Sequence, residues 1–142
     1  MEKILLADDD ADVQEIAKVI LTKEGYEAII AKDGNEALDL AKANNPDLII
    51  LDYLMPGLDG LEVCRALKKE EALKNIPVLI ITAHAGEKER SLDAGAVDFL
   101  TKPVEKADLL HRIKSVLKVR HINNELQKMI AYIEELEKKS EG

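Results

Sequence analysis

The chain has 142 residues and a mass of 15.8 kDa, enough for one domain with a real core and a short appendage. Hydrophobic residues make up 46% and aromatics only 3%, so aliphatic side chains fill that core. A net charge of -8 argues against non-specific binding to nucleic acid or to anionic membranes.

Lys3 to Ala7 reads as a first buried strand centred on Ile4, Leu5 and Leu6. Asp8-Asp9-Asp10 follows, with Asp10 as the expected N-cap of a first helix. Val13, Ile16, Ala17, Ile20 and Leu21 mark one face of that helix at i, i+3, i+4, i+7 and i+8. Gly25 stops it, and Tyr26 to Ala31 is a short second strand. Asp33 or Asn35 caps a second helix that turns Ala37, Leu38 and Ala41 inward and ends at Asn44-Asn45-Pro46. Residues 47–52 form a third strand, apolar without alternation, which suits burial on both faces. Asp52 ends the run, and Pro56, Gly57, Asp59 and Gly60 then force a loop. A third helix over about 60–70 presents Leu61, Cys64 and Leu67. The fourth strand is Ile76 to Thr82, and the fourth helix runs from Gly86 to about Ala94 before Gly95. Val97 to Thr101 is the fifth strand, and a long helix begins near Val104. Five strand–helix units in strict alternation imply an α/β fold: a doubly wound five-stranded parallel sheet with helices on both faces and an extended last helix.

Charge is distributed unevenly. Residues 1–60 hold 14 acids against 5 lysines, whereas 102–120 hold six Lys or Arg against Glu105 and Asp108. The single cysteine, Cys64, leaves no partner for an internal disulfide, which fits a reducing compartment. No apolar run approaches the roughly 20 residues of a membrane span, and no signal peptide is visible. The expectation is a cytoplasmic protein with neither membrane insertion nor direct nucleic-acid contact.

The chemistry gathers at the strand ends: Asp8 and Asp9 after strand one, Asp52 after strand three, Thr82 after strand four and Lys102 after strand five. In a parallel sheet these ends share one edge. Three carboxylates in one crevice repel, and the remedies are proton uptake or a bound cation. Oxygen ligands with open positions suit Mg²⁺, which keeps several waters and is often shared with a phosphate. Lys102 adds a positive charge and Thr82 a hydroxyl. Aspartate, metal, cation and hydroxyl together suit phosphoryl transfer to a carboxylate.

On these residues the sequence resembles the response-regulator receiver domains of two-component signalling, the CheY-like family. The matching pieces are Ile4 through Asp10, Leu51 through Gly60, Ile80-Ile81-Thr82-Ala83, and Ala94-Gly95-Ala96 with Phe99-Leu100-Thr101-Lys102-Pro103. The resemblance covers about residues 2–118, so 1–118 is expected to be a receiver domain and 119–142 a helical extension, coiled coil or linker. It implies the flavodoxin-like strand order 2-1-3-4-5, of which this family is a known instance. It also implies that Asp52 is the phosphoacceptor and that Asp8, Asp9, Asp52 and the Leu54 main-chain carbonyl hold Mg²⁺, with Mn²⁺ as a substitute. Thr82 is then the switch hydroxyl, Lys102 the catalytic lysine and Phe99 the switch aromatic, here without the hydroxyl of the family's frequent Tyr. Leu54 and His84 fall at the rate-modulating positions, two residues after Asp52 and Thr82. The bond before Pro103 is expected to be cis. The implied function is a phosphorylation-activated switch that takes its phosphoryl group from a histidine kinase or phosphotransfer protein. It signals through helix four, strand five and helix five, and catalyses only its own phosphorylation and dephosphorylation. The implied alternative is a receiver piece of a larger multidomain regulator or hybrid kinase.

Other readings stand beside these. Asp8-x-Asp10 mimics a haloacid-dehalogenase nucleophile motif, but the rest of that motif is missing. A flavodoxin or dinucleotide-binding reading needs a phosphate loop after strand one, where three aspartates stand instead. Thr82 reads alternatively as a plain strand residue and Lys102 as a solvated lysine. Cys64 reads as core, Tyr53 as lining beside Asp52, and His111 and His121 as surface helix residues. In the extension, Val119, Ile122, Leu126, Met129, Ile133 and Leu136 repeat at 3, 4, 3, 4, 3, a heptad stripe with β-branched residues at two of three a positions that suits a weak parallel homodimer through 119–136 or a linker to an output domain.

Overall fold

A computed structural model describes residues 1–141. Five parallel strands, β1 (Lys3–Ala7), β2 (Glu27–Ala31), β3 (Leu48–Asp52), β4 (Val78–Thr82) and β5 (Asp98–Thr101), form one sheet in the order β2-β1-β3-β4-β5. The helices are α1 (Ala11–Lys23), α2 (Gly34–Asn44), α3 (Gly60–Lys69), α4 (Lys88–Asp93) and α5 (Lys106–Glu141). Gly142, the last residue of the expected extension, lies outside the described residues.

The sheet divides its side chains by the period of two. Leu5, Ile49, Leu51, Val78 and Ile80 face a core shared with Ala37 and Ala41 of α2 and with Leu61, Val63, Cys64 and Leu67 of α3. Ile4, Leu6, Ile50, Leu79 and Leu100 face a second core closed by Ala17 and Leu21 of α1 and by Leu109, Ile113 and Leu117 of α5. Every residue of β3 is buried, as its unbroken apolar run requires.

The helix ends follow local chemistry. Asp10 caps α1 by accepting from the Asp12 and Val13 amides, and Asp33 rather than Asn35 caps α2. Asp59 and Glu62 form a capping box at α3, with bonds of 2.8 and 3.1 Å. Gly25 and Gly95 follow α1 and α4 at φ of 90° and 106°, the left-handed region that favours glycine.

Several expected bounds shift by a residue or two. Tyr26 closes the end of α1 on the Leu21 carbonyl, so β2 begins at Glu27. Pro77 has no N–H to enter the ladder, so β4 begins at Val78, although the Pro77 carbonyl already accepts from Ile49. The fourth helix opens as a 3₁₀ turn over Ala85–Glu87. Its last partner, α5, starts at Lys106 rather than Val104. The larger difference lies in α1. Val13 and Ile16 are exposed, and the buried face is Ala17 and Leu21 with half-buried Ile20. The helix is rotated toward Gln14, whose amide donates to the Asp8 carbonyl at 2.7 Å and claims the inward position at that turn.

Gly60 fixes the loop after Asp52. A Cβ there would stand 2.6 Å from the Asp52 carbonyl oxygen and 3.1 Å from Tyr53 Cα. Gly60→Ala should lower stability by about 1–3 kcal/mol, the usual cost of overpacking. Urea unfolding checks this: the midpoint falls at unchanged slope, whereas an unchanged midpoint shows that the loop yields.

Candidate phosphoacceptor site

Register carries the side chains together. Ala7, Leu51, Ile80 and Phe99 are aligned across β1, β3, β4 and β5, and Asp52 pairs with Ile81 while Thr82 pairs with Thr101. The residues that follow therefore emerge along the carboxyl edge. Asp8, Asp9 and Asp52 offer carboxylate oxygens that lie within 4.8 Å of one another. Lys102 reaches back to Asp52, with Nζ 3.0 Å from Oδ1. Its backbone is tied to the same edge by Lys102 N–H donating to the Thr82 carbonyl at 2.7 Å.

Asp8 and Asp52 are each only 5% exposed, while Asp9 is open to solvent. Asp8 is oriented by its Oδ1 accepting from the Asp10 amide at 2.9 Å. Burial raises both buried carboxyls above the ordinary value of 3.8, and neighbouring carboxylates push the same way. Lys102 opposes the rise at Asp52 without cancelling it. Burial alone would lower Lys102, but bonding and attraction to Asp52 outweigh it and leave the ammonium raised. The ion pair thus acts clearly on the lysine, while desolvation governs the aspartate.

Thr82 is buried, and its hydroxyl oxygen accepts from the His84 amide at 3.2 Å. His84 is exposed. Phe99 is half-buried, with Lys88 Nζ 5.7 Å from the ring centroid. Leu54 turns its side chain to solvent at 64% exposure. The Lys102–Pro103 bond is cis, as expected. Cys64 is buried with Sγ on the Ala94 carbonyl, and His111 and His121 are exposed on α5.

Two neighbours were not legible beforehand. Gln14 bonds the Asp8 carbonyl, and nothing in a first-turn glutamine signals that contact. Tyr53 does more than line the approach: its hydroxyl accepts from Arg90 at 3.4 Å, and Arg90 also binds Glu87, linking the loop after β3 to α4.

The donor set fits a hydrated divalent cation. Its oxygens are hard, two of the three acids are buried where their charges need an offset, and exposed Asp9 leaves room for water. An open α/β sheet that presents three acids, a lysine and a hydroxyl at its carboxyl edge belongs to the class built to bind a cation and a phosphoryl group there.

Residues 4–114 match the response regulator receiver domain family, and the chain belongs to it. It is 44% identical over 118 residues to the response regulator MprA of Mycolicibacterium vanbaalenii, covering 82% of this chain and 50% of that protein. It is 42% identical over 128 residues to the response regulator PleD of Caulobacter vibrioides, covering 88% and 28%. A CheY-like receiver domain protein from Methanospirillum hungatei superposes with a TM-score of 0.81 at 30% identity, over 87% of this chain and 98% of that one. The chain spans half or less of these two curated relatives. Receiver domains are phosphorylation-activated switches of two-component signalling, fed by histidine kinases or phosphotransfer proteins, and bind Mg²⁺ at an acidic pocket such as this one. No described helix is long and apolar enough to cross a membrane.

The electrostatics fix a sign. A carboxyl raised in the folded state costs stability as pH rises from its ordinary value through the raised one, because the unfolded chain ionises more readily. In metal-free buffer at neutral pH, Asp8→Asn should therefore melt higher than wild type by a few degrees, the scale of about 1 kcal/mol in a small domain. The gap should close toward pH 4 and on adding Mg²⁺. Calorimetry across that range checks it, and a variant that melts lower at neutral pH contradicts the burial argument.

Proposed function

We propose that Asp52 is the phosphoacceptor of this receiver and that Asp8, Asp9, Asp52 and the Leu54 main-chain carbonyl hold Mg²⁺, with Mn²⁺ able to substitute. The observation that carries the reading is the Lys102 ammonium 3.0 Å from Asp52 inside a cluster of three carboxylates. Asp52 Oδ attacks the phosphorus of a phosphohistidine or a small acyl phosphate, and the bond from phosphorus to the donor breaks. Lys102 pairs with the incoming phosphoryl oxygens, and its attraction opposes the rise that burial imposes on the Asp52 carboxyl. Mg²⁺, when bound, neutralises the phosphoryl oxygens that would otherwise repel the nucleophile. Leu54 and His84, both exposed at the rim, tune water access and so the lifetime of the acyl phosphate. The chain catalyses only its own phosphorylation and dephosphorylation.

Incubation with acetyl phosphate and Mg²⁺ should add one phosphate by intact mass in wild type and none in Asp52→Asn. The same gain in Asp52→Asn, mapped to another residue, sinks the assignment.

Thr82 and Phe99 carry the signal outward. A phosphoryl group on Asp52 offers the Thr82 hydroxyl a stronger partner than the His84 amide it now accepts from. Movement of Thr82 toward it frees space for Phe99, whose ring is held at half-burial beneath Lys88. The affected face is α4, β5 and the first turns of α5. Amide NMR with a phosphoryl mimic should show changes concentrated in residues 82–105. Responses confined to 8–10 and 52–60 count against this route.

We assign residues 1–118 to the receiver and 119–142 to an extension whose stripe at 119–136 joins two copies weakly. A histidine kinase or phosphotransfer protein is the proposed phosphoryl source, and the work is cytoplasmic. The receiver would serve a larger regulator if further domains follow.

A further inference from the structure

Helix α5 carries two apolar faces. Upstream, Leu109, Leu110, Ile113 and Leu117 pack on the sheet and are buried. Downstream, Val119, Leu126 and Ile133 alternate with Ile122, Met129 and Leu136, and all six are 48–61% exposed. The helix is continuous through both, and Arg120 still holds the domain through the carbonyl and carboxylate of Asp47.

The two faces share one heptad register. With Val119, Leu126 and Ile133 as a and Ile122, Met129 and Leu136 as d, Leu110 and Leu117 fall at f and Ile113 at b. Leu109 and half-buried Val116 fall at e, and Arg112 at a is ion-paired to Asp98, so the receiver packs on the b, e and f side of the helix and the a/d seam runs clear of that pairing only from Ser115 onward. Followed upstream, the next d position is Ser115, which is exposed.

The seam suits a copy of itself better than a flat partner. A strict 3.5-residue period makes a narrow stripe for a twin helix, where a globular surface wants a broader one. Ile130 and Tyr132 flank it at e and g, both exposed. Two copies together present on the order of 1,000 Å² of apolar surface, near the lower bound of a specific interface. Charge then sets direction. Paired in parallel, g faces e of the partner: Lys118 meets Asn123, Glu125 meets Ile130 and Tyr132 meets Glu137, with no like charges opposed. Paired antiparallel at full overlap, Lys118 faces Lys139 of the other copy, and this occurs twice.

Resting on self-pairing of 119–136, we propose that two copies of this chain form a parallel, in-register coiled coil from Ser115 to Leu136, with the two receivers on its outer sides. The stripe spans under three heptads, so the dimer is weak, about micromolar or weaker.

Cysteine scanning on the full chain tests it, because the native Cys64 is buried and wild type serves as a blank. Mild oxidation should join Ser115→Cys, Val119→Cys and Leu136→Cys each to its own kind, at least tenfold above Ala131→Cys, which lies at the outer f position. Sedimentation equilibrium over about 5–500 μM should show a monomer–dimer exchange that Leu126→Glu/Ile133→Glu abolishes. If only mixed Val119→Cys and Leu136→Cys samples cross-link, the coil is antiparallel and the orientation is overturned while self-pairing stands. Failure of Ser115→Cys alone overturns the placement of the receivers. A wild type that stays monomeric, phosphorylated or not, with no cross-link above the control, overturns self-pairing itself. None of these outcomes touches the phosphoacceptor assignment.

Discussion

Mutual repulsion of Asp8, Asp9 and Asp52 is the constraint on which the rest depends. Carboxylate oxygens within 4.8 Å of one another, two of the acids buried, are held there by a sheet that spends none of its own charge on them. Among the described residues only Lys102 stands against them directly, at 3.0 Å from Asp52. The site is therefore under-neutralised as built, which is the condition for taking up a cation and then a phosphoryl group. A site balanced by its own lysines would have no such appetite. What keeps the strained arrangement in place is the rigidity of β3, buried over its whole length, and the close approach of Gly60 to the Asp52 carbonyl.

Parallel register turns that local imbalance into a device. Thr82 and Lys102 are not near Asp52 in sequence, yet β4 and β5 end on the same edge and the Lys102 amide is tied to the Thr82 carbonyl. The ends of two further strands thus stand beside Asp52. Tyr53 and Arg90 add a second link from the same loop to α4. Both links converge on the elements that flank Phe99.

Most of this was legible in the sequence because the signals are ones of period and punctuation. Apolar runs marked the central strands, and Asp10 and the pair Asp33/Asn35 marked two helix starts, of which Asp10 and Asp33 accept from first-turn amides; Asp59, read only as a loop former, caps α3 as well. The strand-end residues could be grouped because strict alternation puts every strand end on one edge. The burial of α1 was misjudged at Val13 and Ile16, since spacing identifies an apolar face but not how far the helix rotates against its neighbours. Gln14 takes the inward position there through a bond to a main-chain carbonyl, a contact with no sequence signature. The Tyr53–Arg90 contact was hidden for the same reason: the partners are 37 residues apart and meet only through the fold.

Helix α5 joins the two ends of the molecule without a hinge. Its 36 residues span about 54 Å at 1.5 Å each. Near its start Arg112 is ion-paired to Asp98 at the head of β5, one residue before Phe99. Further along, Arg120 clamps it to Asp47 just before β3. The same helix is thus fastened to the strand that carries Phe99 and to the strand that ends in Asp52. A helix held at both points is braced against bending between them. The exposed stripe begins just before the second clamp. From Ile122 onward the apolar stripe thus lies on the part of the rod that extends beyond both clamps, on a face the receiver leaves exposed.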